Sequence, residues 1–242
     1  MTLLLLGGAG ETWPLARALA AQGRDCILSL ARDDARASDA GLPVRVGGFD
    51  GAAGFRDFLA AHGITGVLDV THPFAARITG RTVRLCHELG VPYCRVERPP
   101  WTAEPGDLWT LLDREEDAAD HITPGATVFL ATGRDALARF EGLRSCRVIC
   151  RVLAPTDETF PFANGEFLPG RAPFTVAQER ALFRRLGVDW LVVRNAGGEG
   201  PRAKLIAARE EGIRVAMLSR PERPGGPYVQ NIEAALDWVA SL

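Results

Sequence analysis

Leu3-Leu4-Leu5-Leu6-Gly7-Gly8-Ala9-Gly10-Glu11-Thr12-Trp13-Pro14-Leu15-Ala16-Arg17 is the stretch whose reading decides the fold. Leu3–Leu6 reads as a short buried strand, and Trp13–Gln22 as a helix. Between them lies a glycine-rich turn, Gly7-Gly8-Ala9-Gly10-Glu11. Glycine allows the backbone to approach a pyrophosphate closely. The helix that follows supplies free N–H groups and the positive end of its dipole. Trp13 stands where the third glycine of a G-x-G-x-x-G pattern belongs, so the motif is partial. Nucleotide binding and a tight turn without ligand both fit the residues.

Working outward, the same alternation repeats. Cys26–Leu30, Val44–Val46, Gly66–Val70 and Pro92–Val96 read as strands, and Phe55–His62 and Ala75–Leu89 as helices. In the last helix Ile78, Thr82, Leu85 and Leu89 fall on one face, and Gly90 stops it. Glu97-Arg98-Pro99-Pro100-Trp101 then breaks the pattern as a linker. Beyond it Trp109–Leu112, Thr127–Leu130, Arg147–Val152, Trp190–Val193 and Arg214–Leu218 read as strands. Arg114–His121, Arg134–Phe140, Val176–Leu186, Pro201–Glu211 and Ile232–Leu242 read as helices. The proline- and phenylalanine-rich run Ala154–Pro173 is expected to be an irregular loop. The expected class is α/β, with two subdomains of mainly parallel sheet, residues 1–100 and 101–242, and the active site in the cleft between them. In such sheets ligands sit at the carboxyl ends of strands, so the turns leaving strands carry the information.

Composition narrows the partners. The chain has 242 residues, 47% of them hydrophobic and 24% charged, with a formal net charge of −2. That balance gives no electrostatic reason to expect nucleic acid or an anionic membrane. The Leu3–Leu6 run is too short for a signal-peptide core or a membrane span, and the cytoplasm is the expected location. The five cysteines form no CxxC pair and read as buried free thiols; Cys146 and Cys150 are expected on one side of a sheet. The four histidines have no metal-ligand spacing, and no metal is expected.

Of the 28 lysine and arginine side chains, only Lys204 is lysine. Arginine keeps its proton in proteins, whereas a lysine amine gives its proton up when its surroundings lower its pKa. Lys204 follows the glycine-rich turn Asn195-Ala196-Gly197-Gly198-Glu199-Gly200, near the start of a helix. The helix dipole there favours the neutral amine and makes a better general acid. A leftover surface lysine in an arginine-rich chain is the alternative. No Walker A or Tyr-x-x-x-Lys pattern surrounds it.

Three other turns follow strands. Arg32, after Cys26–Leu30, suits the extra phosphate of NADP, although Asp33 and Asp34 beside it weaken that reading. In Asp69-Val70-Thr71-His72-Pro73-Phe74-Ala75, Thr71 reads as an N-cap and Pro73 as a first-turn residue. His72 there could contact cofactor, donate a proton or act only in capping. Thr132-Gly133-Arg134 places a fixed cation beside a helix start, an arrangement suited to a carboxylate or phosphate.

These turns together resemble the precorrin-6A reductase family of cobalamin biosynthesis. The resemblance covers nearly the whole chain. It rests on Gly7-Gly8…Glu11, Val46-Gly47-Gly48-Phe49, Asp69-Val70-Thr71-His72-Pro73-Phe74-Ala75, Arg98-Pro99-Pro100-Trp101, Thr132-Gly133-Arg134, Asn195-Ala196-Gly197-Gly198…Ala203-Lys204-Leu205-Ile206-Ala207-Ala208-Arg209 and Arg220-Pro221. Ala9 and Ala31 depart from residues common in the family, without loss of a charged group. The resemblance implies NADPH-dependent reduction of one double bond in precorrin-6A to give precorrin-6B, a CH–CH oxidoreduction. It implies that Gly7, Gly8, Ala9, Gly10, Glu11, Arg32, Thr71, His72, Pro73 and Phe74 hold the cofactor. Thr132, Gly133, Arg134, Asn195, Gly197, Gly198 and Arg220 would hold a polycarboxylate tetrapyrrole. Lys204 is expected to give the proton or position its donor, with Arg17 as the second catalytic candidate. Hand-over of the product to a neighbouring pathway enzyme is a further implication. Two other readings of the turns remain: an NADP-dependent oxidoreductase on a small carbonyl, and a non-catalytic dinucleotide-binding regulator.

Overall fold

A computed structural model describes residues 1–153 and 155–242. In chain order its strands are β1 (Thr2–Gly7), β2 (Cys26–Leu30), β3 (Val44–Val46), β4 (Ile64–Val70), β5 (Tyr93–Val96), β6 (Trp109–Leu112), β7 (Thr127–Leu130), β8 (Arg147–Val152), β9 (Gly165–Pro169), β10 (Trp190–Arg194), β11 (Arg214–Leu218) and β12 (Tyr228–Val229). The α-helices are α1 (Thr12–Ala21), α2 (Gly51–Ala61), α3 (Ala76–Leu89), α4 (Ala118–His121), α5 (Val176–Leu186), α6 (Ala203–Glu210) and α7 (Ile232–Ala240). Short 3₁₀ segments lie at Ala35–Asp39, Glu115–Asp117, Arg134–Leu143 and Gly200–Arg202.

The first unit comprises Met1–Pro99 and Glu222–Leu242. Its six strands run parallel in the order β12-β5-β4-β1-β2-β3. The leucine run shows why β1 lies inside. Leu3 and Leu5 pack in a cluster with Trp13, Leu15 and Leu19 of α1 and with Ala235 and Val239 of α7. Leu4 and Leu6 point the other way, to Phe55 and Leu59 of α2 and Leu85 of α3. Side chains alternate across a strand, so a strand apolar on both faces must be covered on both.

The second unit comprises Pro100–Pro221, with six parallel strands ordered β6-β11-β10-β7-β8-β9. Phe129, Ile149, Leu191, Val193, Val215 and Met217 pack against Phe183 of α5 and Leu205, Ala207 and Ala208 of α6.

Several expectations are corrected. The compact units do not divide as 1–100 and 101–242, because β12 adds to β5 and α7 packs on α1, returning the C-terminal segment to the first unit. Of the expected loop Ala154–Pro173, Ala154 lies outside the described residues, and Gly165–Pro169 forms β9 on the edge of the second sheet. Proline is tolerated there because an edge strand leaves one row of its polar groups unpaired. On α3 the buried residues are Thr79, Thr82, Leu85 and Cys86, and Leu89 is 45% exposed. Threonine serves as a core residue here because its hydroxyl is satisfied: Thr82 Oγ1 donates to Ile78 O (2.8 Å), and Thr79 Oγ1 bonds Thr71 Oγ1 (3.2 Å). Arg134–Leu143 is 3₁₀ with a kink at Phe140. All five cysteines are buried free thiols, and burial pushes those of Cys26 and Cys86 up to about 12.

Candidate active site

In each sheet the chain reverses direction around a central pair, and the two strands of that pair send their outgoing turns to the same edge. In the first unit the pair is β1 and β4. Strands added after β1 lie on one side and those added after β4 on the other, the topology that opens a crevice at the strand ends. A Cβ on Gly8 would lie 3.3 Å from His72 N and from Thr71 Cα, so only a bare backbone lets the two turns approach this closely. Ala9 N donates to Val70 O (2.9 Å), which fixes their register. Gly8 N donates to Thr12 Oγ1 (3.1 Å). Neither α1 nor α3 has a side-chain cap at its first turn, so their backbone donors remain suited to an anion.

Glu11 would repel a phosphate, but it pairs with Arg98 of the same unit. Thr71 is not the N-cap expected from the sequence: Ala75 holds that position, and Thr71 N accepts no role in the helix but donates to Asp69 Oδ1 (2.9 Å). His72 Nδ1 accepts from Phe74 N (3.3 Å), which folds Pro73 and Phe74 into a turn ahead of α3. Trp13, in place of the third glycine, is buried in the core and carries the Arg36 guanidinium 4.6 Å above its ring. Asp34, one of the two acids that weakened the phosphate reading, is bound by Arg36 at 2.9 and 2.7 Å. Arg32 is exposed at the end of β2, and Arg17 is exposed on α1.

In the second unit the central pair is β7 and β10. After β7, Thr132 is buried and Gly133 takes φ +79°. Arg134 reaches Thr156 Oγ1 (3.2 Å) and Glu158 Oε1 (3.0 Å), both exposed contacts that a ligand carboxylate could replace. After β10 the loop is tightly held. The Asn195 amide takes both backbone groups of Trp101, accepting from its N (2.8 Å) and donating to its O (2.9 Å). Trp101 Nε1 donates to Gly198 O (2.8 Å). Arg220 donates to the carbonyls of Asn195 (2.8 Å) and Ala196 (3.0 Å). Gly197 and Gly198 have consecutive positive φ values, +70° and +81°, a geometry costly for any residue with a Cβ.

This loop delivers Lys204 to the second position of α6. Its Nζ donates to Pro201 O (2.8 Å). The side chain is half-buried, and its pKa is pushed down to about 8. Burial is the main cause, nearby Arg151 adds to it, and Glu179 opposes it. Burial and neighbouring charges, not the helix dipole expected from the sequence, account for the shift. No cluster of three or more His, Cys, Asp or Glu that could hold a metal exists among the described residues.

Residues 2–240 match the family model described as precorrin-6x reductase CbiJ/CobK. The chain belongs to the precorrin-6x reductase family. It is 38% identical over 239 residues to the precorrin-6A reductase of Rhodobacter capsulatus, covering 98% of this chain and 95% of that protein. Identity to the cobalt-precorrin-6A reductase of Priestia megaterium is 27%, covering 96% and 95%. A solved structure titled CobK precorrin-6A reductase superposes with a TM-score of 0.93 at 37% identity, covering 100% of this chain and 97% of that one. Family membership makes the chain an oxidoreductase of cobalamin biosynthesis that acts on a CH–CH group of a tetrapyrrole. Reductase chemistry implies a nicotinamide cofactor.

One pair of charged residues belongs to none of the motifs legible in the sequence. Arg151 lies in β8, 7% exposed, and Glu179 on α5, 1% exposed. They make a two-point ion pair at 2.6 and 2.7 Å. A usable signal exists: a lone arginine in Val148-Ile149-Cys150-Arg151-Val152, and a glutamate between Val176 and Phe183 on an inward helix face. A charge within an apolar pattern must have a partner.

Proposed function

We propose that the chain catalyses NADPH-dependent reduction of one double bond of precorrin-6A, the metal-free tetrapyrrole, to give precorrin-6B. The observation that carries this reading is the chain's one lysine amine, with its pKa pushed down to about 8 and its Nζ bonded to Pro201 O, at the second position of α6 in a chain that matches the family model over residues 2–240. Higher identity to a precorrin-6A reductase than to a cobalt-precorrin-6A reductase supports the metal-free substrate.

The first unit suits a dinucleotide, given an open glycine turn, two uncapped helix starts and a register fixed by the Ala9 N to Val70 O bond. Gly7, Gly8, Ala9, Gly10 and Glu11 form the pyrophosphate turn, and Thr71, His72, Pro73 and Phe74 hold the cofactor beside it. When bound, the cofactor supplies a hydride. Arg32 selects NADPH through its extra phosphate, a role supported by the engagement of Asp34 with Arg36. In the second unit Arg134, Thr132 and Gly133 receive substrate carboxylates, while Asn195, Gly197, Gly198 and Arg220 shape the loop that meets the ring. Lys204 gives its proton to the carbon beside the hydride acceptor, which balances the two-electron reduction. Arg17 offsets negative charge near the reacting bond or holds a further carboxylate. A cytoplasmic location suits an enzyme with five unpaired thiols, and direct transfer of the product to the next enzyme suits a reactive tetrapyrrole.

The test is anaerobic turnover. NADPH oxidation that requires precorrin-6A, with NADH a poor substitute, is the expected result. Arg32→Ala should weaken NADPH binding more than NADH binding. Binding of NADPH without turnover in the presence of the tetrapyrrole would overturn the reductase reading.

A further inference from the structure

The buried Arg151–Glu179 pair calls for a reason. Burying an ion pair gives little or no net stability over well-packed apolar residues. The Phe129 and Phe174 rings lie 4.7 and 4.1 Å from the Arg151 guanidinium and keep water from it. Helix α5, which carries Glu179, packs against α6, which carries Lys204.

The charged groups around Lys204 can be followed element by element. On α5, Arg180 binds Glu210 and Glu211, and Arg184 binds Glu211. In the 3₁₀ turn ahead of α6, Arg202 is engaged by Glu104 and Glu199. On α6 itself, Arg209 also binds Glu104. On β11 the exposed Arg214 lies 5.6 Å from the centroid of the Trp190 ring, and Val215–Leu218 carry no charge. Glu179, on α5 packed against α6, raises the pKa of the amine, and its partner Arg151 lowers it.

We propose that Arg151 is a positioning residue for Lys204: by gripping both oxygens of Glu179 it keeps that carboxylate from capturing the ammonium group. The inference rests on the reading of Lys204 as the proton donor. A Glu179 carboxylate released from Arg151 would draw Nζ from the Pro201 carbonyl and hold its proton in a buried ion pair. An acid fixed in that way transfers its proton poorly. With Arg151 in place, Glu179 is fully used and the amine stays near its exchange range.

Because Lys204 is the chain's one lysine, ¹³Cε-lysine labelling gives a single side-chain signal whose titration reads the amine directly. The intact protein should titrate at about 8. Arg151→Met should move the midpoint up by at least ~1 pH unit, the effect of an opposite charge brought within reach. Glu179→Gln, which keeps the volume and an acceptor for Arg151, should move it down, and it remains informative if Arg151→Met loses its fold. The double variant Arg151→Met/Glu179→Leu should fall between the two. A melting temperature that drops while the midpoint stays fixed in both single variants would reduce the pair to a structural role and overturn the proposal. The basic limb of the kcat–pH profile separates the two readings. If the limb follows the amine, both stand. If the amine moves and the limb does not, Lys204 is not the proton donor and the positioning role falls with it.

Discussion

Lys204 combines a titratable amine, partial burial and a fixed carbonyl partner, and each has a different consequence. Burial disfavours the ammonium form and brings the pKa to about 8. The Pro201 carbonyl at 2.8 Å favours that form and aims the N–H groups. As proton donor the amine acts when protonated, so kcat should be level at lower pH and fall as pH rises through about 8. Lys204→Arg keeps the charge and much of the reach but cannot release a proton near neutrality. Its kcat should fall by roughly 10²–10⁴-fold, the usual share of a general acid, with a much smaller change in KM. Single-turnover kinetics on the variant would check this, and a kcat within a few-fold of the parent would remove Lys204 from the chemistry. Tenfold weaker substrate binding with unchanged kcat would instead make it a carboxylate anchor.

The turns act as elements. Gly8 is held between its own strand and the Thr71–His72 backbone, with 3.3 Å left for a Cβ. Gly8→Val adds a branched side chain where main chain cannot retreat, so the turns must separate. NADPH affinity should fall at least ~10-fold, and stability should fall by about 1–3 kcal/mol, as for other overpacked sites. Calorimetric titration with thermal melts would measure both, and unchanged affinity would show that cofactor does not use this turn. The strand-to-helix turns were legible because glycine, proline and polar clusters punctuate apolar runs sharply at Gly7–Glu11, Asp69–Ala75 and Asn195–Gly200. What remained hidden was set by partners distant in sequence. β9 carries glycine, glutamate and proline, and it becomes a strand only because β8 offers it an edge. Thr79 carries no core signal in the sequence, because its fitness for the interior depends on Thr71. Asn195 bonds Trp101, and Arg220 bonds the carbonyls of Asn195 and Ala196, so these two ligand candidates also shape their own loop, which no local pattern announces.

At the scale of the molecule, the first unit is built from both ends of the chain, whereas the second is one continuous segment. β12 covers the edge of β5. α7 buries Ala235 and Val239 in the cluster that holds Leu3, Leu5 and α1, with Ile232, Leu236 and Trp238 packed alongside. A Leu242 methyl lies 2.8 Å from where a Gly66 Cβ would stand, so even the final residue packs on β4. Fully burying a side chain such as Val239 is worth roughly 1.5–3 kcal/mol, the partly buried Ile232, Leu236 and Trp238 add to it, and whole domains have only about 5–15 kcal/mol of net stability. A chain ending at Pro221 therefore loses an amount comparable to everything that holds the first unit together. It should fail to bind NADPH, bind apolar dyes, and aggregate through the bared β5 edge. A chain of residues 100–221 keeps all six strands of its sheet together with α5 and α6. It should unfold cooperatively and protect its β7 and β10 amides from hydrogen exchange. NADPH bound by the 1–221 chain with the affinity of the intact protein would show that the C-terminal segment decorates the first unit and does not complete it.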